Sequence, residues 1–277
     1  MAGSRNNERN KRPFLYLWAM ESQEGNISNK NLVGLVSPQV LDAVEKDALH
    51  PLILDLQACE MLEIRYDWFE AKLWPELSKR VRAIAPHAAQ IGTIRLKRDG
   101  GGFPDANINE RLPLWESILK AQEVPEWLDL ERDCLHDYQD LDKLAKPRNT
   151  RILVSEHNFA RIPTALELKK FYQDVRRFKA KGLKIAAMSN SDTDCQRLYQ
   201  FANKNACHFD LFAAFGMGET GKISRIWSLK MGANLTYGSF EGAAAPGQID
   251  VETMKKAIEK LQNLNSEFEL GSFLGKI

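Results

Sequence analysis

Short apolar runs and amphipathic helical patterns alternate along almost the whole chain, and that alternation restricts the fold more than any other feature. Runs at 32–36, 59–66, 91–96, 127–130, 151–155, 182–189, 209–215 and 235–240 read as strands. Patterns at 38–49, 68–83, 109–121, 135–144, 164–180 and 251–264 carry apolar residues at helical spacing. A further helix follows the sixth strand and opens on Ser191 and Asp194, a capping-box-like pair. Strands separated by helices pair in parallel. Eight such units in 277 residues point to an α/β fold, a closed (β/α)8 TIM barrel rather than an open doubly wound sheet. No biased linker divides it, so 31–277 reads as one barrel domain behind an N-terminal extension at 1–30. That extension starts polar and basic, through Arg5, Arg9, Lys11 and Arg12, and reads as a disordered arm; 11–30 has the length to add a hairpin across one barrel end.

Composition removes several classes of partner. A formal net charge of +1 gives no field for nucleic acid or a membrane surface. No apolar stretch is long enough to span a bilayer, and 14–19 is too short and too soon interrupted by Glu21 for a signal sequence. Cys59, Cys134, Cys195 and Cys207 lie far apart without a C-x-x-C, which signals neither a zinc site nor a disulfide framework and suits reduced thiols in the cytoplasm. The run from Gly216 to Lys222 nearly spells a nucleotide-binding P-loop, but Ile223 stands where Ser or Thr would ligate magnesium.

The strands themselves are unusual. A parallel strand buried on both faces should be almost wholly apolar, yet several here carry polar residues with period two. Glu63, Arg65 and Asp67 oppose Leu62, Ile64 and Tyr66; Thr93 and Arg95 oppose Ile94 and Leu96; Asp129 and Glu131 oppose Leu128 and Leu130. Ser155 and His157 share a face of the fifth strand, and Lys184 interrupts the sixth. Apolar faces packed on helices would turn the ionisable faces into the barrel. A lone lysine there reads as a snorkelling side chain, and a purely structural ion network is the plainer account of the whole set. Mixed signs let such charges neutralise one another. Five neighbouring strands sharing the habit favour a functional cluster, with Lys184 as an imine-forming nucleophile. His157, Asp67 and Asp99 fall at or beyond the carboxyl ends of the strands, where barrels of this type do their chemistry.

These residues, taken in order, resemble type I 3-dehydroquinate dehydratases from about Leu32 onward. The matching motifs are Glu63-x-Arg65-x-Asp67, Thr93-x-Arg95 with Asp99-Gly100-Gly101, Asp129-x-Glu131, and Ser155-x-His157-x-Phe159 with Pro163. Lys184-Ile185-Ala186, Met217-Gly218-x-x-Gly221-x-x-Ser224-Arg225 and Ala245-Pro246-Gly247-Gln248 complete them. The resemblance implies a (β/α)8 lyase, commonly a homodimer, that needs no metal and no organic cofactor. It implies that Lys184 forms an imine with the ketone of 3-dehydroquinate and that His157 moves the protons. Asp99 would orient the imidazole; Arg225 and Gln248 would hold the substrate carboxylate and nearby oxygens; Glu63, Arg65 and Arg95 would line the hydroxyl side. The chain departs from the family at Asp99, where Glu is usual, at Ala244, where Ser is usual, and at Asn158 and Ile162. A diverged relative acting on another cyclic keto acid, or a non-catalytic metabolite-binding barrel, are the readings those departures leave open.

Overall fold

The computed structural model describes residues 30–191, 193–240, 247–264 and 266–275. The strands are β1 (Asn31–Val36), β2 (Met61–Arg65), β3 (Ala89–Thr93), β4 (Trp127–Glu131), β5 (Arg151–Asn158), β6 (Gly182–Met188), β7 (Leu211–Met217) and β8 (Leu235–Gly238). Between and after them run α1 (Pro38–Lys46), α2 (Leu52–Ala58), α3 (Trp74–Ile84), α4 (Arg111–Leu119), α5 (Tyr138–Ala145) and α6 (Ala165–Arg177). The series continues with α7 (Cys195–Asn205), α8 (Ser224–Lys230), α9 (Val251–Lys260) and α10 (Glu267–Leu274). All eight strands belong to one sheet, with β1 to β7 paired in sequence order and β8 returning to β1. Every ladder is parallel. The expected (β/α)8 barrel is present.

The ring is nearly closed, and one residue bridges its last gap. Between β7 and β8 no ladder forms among the described residues; Asn234 spans the seam instead. Its backbone N–H donates to the Phe212 carbonyl at 3.1 Å, and its Oδ1 accepts from the Phe212 N–H at 2.7 Å. Its Nδ2 donates to the Asp210 carbonyl at 2.9 Å, and the Phe215 and Tyr237 rings meet above it with centroids 5.9 Å apart.

Apolar residues fall into two separate groups, as alternation along the strands requires. The larger lies between sheet and helices and takes Leu62, Ile64, Leu128, Leu130, Leu183 and Ile185. The smaller plugs the barrel interior with Val33, Met61, Ile91, Trp127, Leu153 and Leu235, among others. The charged faces therefore point inward, above that plug.

Several boundaries differ from the sequence reading, each for a local reason. β3 ends at Thr93 rather than at 96, because the N–H groups of Arg95 and Leu96 donate to the side chains of Asp67 and Glu131 at 3.1 Å each and leave the ladder. β2 stops at Arg65, and Tyr66–Trp68 forms a single 3-10 turn, so Asp67 leaves the strand and folds back on Arg65. β5 runs on to Asn158, which puts His157 on the strand, paired with Ala186 of β6. The capping box lies at Thr164 and Glu167, ahead of α6. Ser191 instead bonds Thr193, while Asp194 precedes α7 without a side-chain capping bond to a backbone N–H of the helix. α2, α8 and α10 are helices that the periodicity did not disclose. The N-terminal arm lies outside the described residues apart from Lys30, whose ammonium donates to the Leu229 and Ala233 carbonyls at 2.7 and 2.6 Å.

All four cysteines are free thiols, and burial pushes those of Cys59 and Cys134 up to about 12. No helix among the described residues is long and apolar enough to cross a membrane.

Because Asn234 supplies the acceptor for an otherwise unpaired amide in the seam, Asn234→Ala is expected to cost about 1–3 kcal/mol of stability. Thermal unfolding with amide exchange at Phe212 checks this; an unchanged midpoint and unchanged exchange would show that the seam does not depend on that side chain.

Candidate active site

Register fixes what faces inward. Ser155 of β5 pairs with Lys184 of β6, and His157 pairs with Ala186, so the amine and the imidazole share the inner face one step apart. Adjacent-strand spacing and the rise of two residues set their Cα atoms roughly 8 Å apart. Lys184 is 5% exposed and its Nζ lies 3.1 Å from Glu63 Oε2 and 3.3 Å from Asp129 Oδ2. The Tyr237 ring lies 4.1 Å away, a cation–π contact.

The two carboxylates are themselves held. The Arg95 guanidinium reaches Asp129 at 2.7 Å and Glu131 at 3.3 Å, and donates to Ser155 Oγ at 2.8 Å; Ser155 Oγ in turn donates to Asp129 Oδ1. Glu131 is closed from behind by Arg111, 2.5 Å from its Oε2, which also donates to the Ile94 carbonyl at 3.1 Å. Burial alone would raise the Asp129 carboxyl; the Arg95 guanidinium and the Lys184 ammonium outweigh it and hold that carboxyl well below the usual carboxylate range. Burial likewise works against the charge on Arg95, and Asp129, Glu131 and Glu63 overcome it, so this guanidinium is held more firmly protonated than usual. Three carboxylates thus face three cations in one buried layer.

Arg65 is not part of that layer. Its guanidinium is clasped by Asp67 through bonds of 3.0 and 2.7 Å and lies 3.9 Å over the Trp68 ring. Asp67 also receives the Gly102 N–H at 2.8 Å, so it pins the Gly-rich loop to the end of β2. Gly101 is required there, since a Cβ would come within 2.0 Å of the Arg95 carbonyl oxygen.

His157 stacks on Phe159, with centroids 6.5 Å apart and planes inclined by 19°. Burial, then the Arg95 and Lys184 cations, hold its imidazole well below the ordinary histidine range, so it stands neutral at physiological pH. Together with Asp99, Glu131 and Ser155 it lines a cavity of about 250 Å3. Asp99 is pushed up to about 6 by burial and by Glu131 and Asp133. Among the described residues, neither His157 Nδ1 nor Asp99 Oδ2 has a hydrogen-bond partner. The sequence reading has Asp99 orienting the imidazole; the structure brings the two to one cavity with no hydrogen bond between them.

On the far side of the mouth, Arg225 is buried without a carboxylate at ion-pair distance among the described residues. Its Nε donates to the Gly247 carbonyl at 2.8 Å, its guanidinium lies 4.7 Å from the Phe215 ring, and burial brings it down to about 10. The glycine motif explains its position. Gly221 packs directly on Gly216, the Gly216 N–H donates to Ser224 Oγ at 2.7 Å, and α8 starts there with Arg225 turned inward. Gln248 follows Gly247, half-buried; Ala244, Ala245 and Pro246 lie outside the described residues. Sequence reasoning missed Arg111 and Tyr237. Arg111 sits in a helical pattern where an exposed arginine is ordinary, and only the surplus of inward carboxylates over inward cations on the strands could have signalled it. No sequence signal singled out Tyr237.

The chain matches the family model described as type I 3-dehydroquinase over residues 41–265. A 3-dehydroquinate dehydratase from Methanococcus maripaludis is 30% identical over 230 residues, covering 80% of this chain and 98% of that protein. One from Pyrococcus abyssi is 28% identical over 231 residues, covering 82% and 96%. Among solved structures, the 3-dehydroquinate dehydratase of Geobacillus kaustophilus superposes with a TM-score of 0.71 at 21% identity, covering 86% of this chain and 93% of that one. A type I 3-dehydroquinate dehydratase from Clostridium difficile with covalent modified comenic acid superposes at 0.73 and 20% identity, covering 86% and 94%. The structural likenesses speak to the barrel; a family model that spans most of the sequence, with a relative covered almost end to end, places this chain in the type I 3-dehydroquinase family.

Proposed function

We propose that the chain dehydrates 3-dehydroquinate to 3-dehydroshikimate through a Schiff base on Lys184, with His157 as general base and then general acid. The observation that carries the reading is an amine and a neutral imidazole facing inward from adjacent strands of a barrel of this family. The Lys184 nitrogen, starting as the ammonium, gives up a proton and adds to the ring ketone carbon; that proton and a second from nitrogen leave with the ketone oxygen as water, and the protonated imine remains. His157, uncharged, takes the proton from the adjacent carbon, and the electron pair passes to the imine nitrogen as an enamine. The hydroxyl on the next carbon then departs as water with the proton returned by His157. Hydrolysis of the imine releases product and restores the amine. Ammonium and protonated imine carry the same charge, so Glu63 and Asp129 face a cation before and after imine formation and need no rearrangement. Arg225, buried and without a partner carboxylate among the described residues, suits the substrate carboxylate, with Gln248 beside it; Arg95, Glu63 and Arg65 border the hydroxyl side. The protein is proposed to work as a cytoplasmic homodimer without metal or organic cofactor.

A second reading, a slower or altered enzyme on a related cyclic keto acid, is favoured by one observation: Asp99 leaves Oδ2 unbonded in the cavity it shares with His157.

Incubation with 3-dehydroquinate and borohydride is expected to leave a reduced adduct on Lys184 by mass spectrometry while untreated enzyme forms the enone product. Lys184→Ala should lose both. His157→Ala should keep the adduct and lose about 10²–10⁴ in kcat. Absence of any adduct in the unaltered protein would refute the imine route, and adduct without product would favour the second reading. If the short carboxylate limits the imidazole, Asp99→Glu is expected to raise kcat, since misplacement by about 1 Å costs roughly a hundredfold; no gain would clear Asp99 of that role. The same carboxyl bears on stability. Its folded-state pKa of about 6 lies above the ordinary 3.8, so its contribution is complete below that ordinary value and is lost as pH rises through about 6. Asp99→Asn is therefore expected to raise the melting temperature at pH 8 relative to the unaltered protein and to leave it unchanged at pH 4.

A further inference from the structure

A cavity of about 440 Å3 opens on the outer wall of the barrel, between α6 and α7 and away from the mouth. Each helix lines it with residues spaced i, i+3, i+4, i+7 and i+8, beginning at Ala165 on α6 and Arg197 on α7, which is one face of each helix. Leu168 and Phe201 are buried at its floor, and Tyr172 forms a half-buried wall. Lys169, Arg197 and Lys204 line it as well, and no carboxylate does among the described residues. Arg197 Nε is buried and has no hydrogen-bond partner among the described residues. The volume is within the range of small-molecule sites, and the lining pairs an apolar, aromatic floor with a positive rim in which Arg197 is met by Asp194 while Lys169 and Lys204 have no ion pair among the described residues.

We propose that this cleft is a second binding site, for a small ring-bearing carboxylate, and that its occupant acts on the reaction site through Arg197. The connection is a chain of hydrogen bonds. Arg197 Nη2 donates to Asp194 Oδ1 at 3.1 Å and to the Ile162 carbonyl at 3.5 Å. Asp194 Oδ2 accepts from the Asn190 N–H at 3.1 Å, and Asn190 Nδ2 donates to the Ala160 carbonyl at 3.0 Å. Ala160 and Ile162 follow β5, which carries His157; Asn190 and Asp194 follow β6, which carries Lys184. Arg197 therefore fastens together the two loops that leave the strands of the imidazole and the amine. A carboxylate in the cleft competes for its guanidinium, slackens that fastening and lowers turnover without occupying the mouth. This second half rests on the dehydratase reading; the binding half does not.

The probe is 4-iodobenzoate, followed by calorimetry in solution and by anomalous scattering of iodine in soaked crystals. Iodine is expected between α6 and α7. Affinity should fall at least tenfold in Lys169→Glu/Lys204→Glu, two exposed positions whose exchange leaves the melting temperature near that of the unaltered protein. Affinity should persist in Arg225→Met, which removes the mouth cation that has no carboxylate partner among the described residues. Iodine only at the mouth, or equal affinity in the double variant, overturns the site. Saturating probe should lower kcat in the unaltered enzyme and leave it unchanged in the double variant; binding in the cleft with constant kcat overturns the coupling. A protein without dehydratase activity would show no turnover in any arm while the binding measurements still read, which separates failure of this inference from failure of the functional one.

Discussion

Everything inside this barrel depends on one buried guanidinium having the right neighbours. Arg95 touches Asp129, Glu131 and Ser155 at once, and without it two carboxylates beneath the mouth would repel each other in a medium that solvates neither. A buried ion pair by itself is weak support for a fold. Here the pairs form a closed set, Lys184 with Glu63 and Asp129, Arg95 with Asp129 and Glu131, Arg111 with Glu131, and the set is balanced in sign. That balance lets polar strands coexist with a parallel barrel. It also fixes the Lys184 amine at one point in space, because its two carboxylates are themselves anchored.

Once that layer is balanced, what is left over becomes informative. Arg225 has a carbonyl and a ring for company and no carboxylate among the described residues, so its charge is available to an anion. Burial, with the Arg95 and Lys184 cations beside it, holds His157 without a second proton, and its Nδ1 has no hydrogen-bond partner among the described residues. A cation waiting for an anion, a base waiting for a proton and an amine held by two carboxylates are three separate demands. The proposed substrate, a ring bearing a carboxylate and a ketone, would meet all of them.

Much of this was legible in the sequence, because period two along a strand is a geometric fact. Glu63, Arg95, Asp129, Ser155, His157 and Lys184 could be assigned to one interior from alternation alone, and the barrel from eight repeats of strand and helix. What escaped was whatever depends on a side chain replacing backbone. β3 was read too long because Asp67 and Glu131 take the N–H groups that a ladder would have used. Asp67 looked like a mouth residue and proves to be a brace for Arg65 and Gly102. Arg111 was invisible because a helix pattern cannot say whether its arginine turns inward to meet a glutamate far along the chain, on the next strand. The capping box was assigned to Ser191 and Asp194, while the true one at Thr164 and Glu167 has the same spacing and better chemistry.

The gap between β7 and β8 has a consequence of its own. A ring with one unladdered joint does not loosen evenly; its slow openings begin there, as a split begins at the notch in a bracelet. The β7 lip of that joint leads on to α8, and from α8 Arg225 bonds the carbonyl of Gly247, which follows β8 in the chain. An anion seated on Arg225 would therefore close a clasp over the weakest part of the barrel, so that occupancy of the mouth and rigidity of the whole ring rise together.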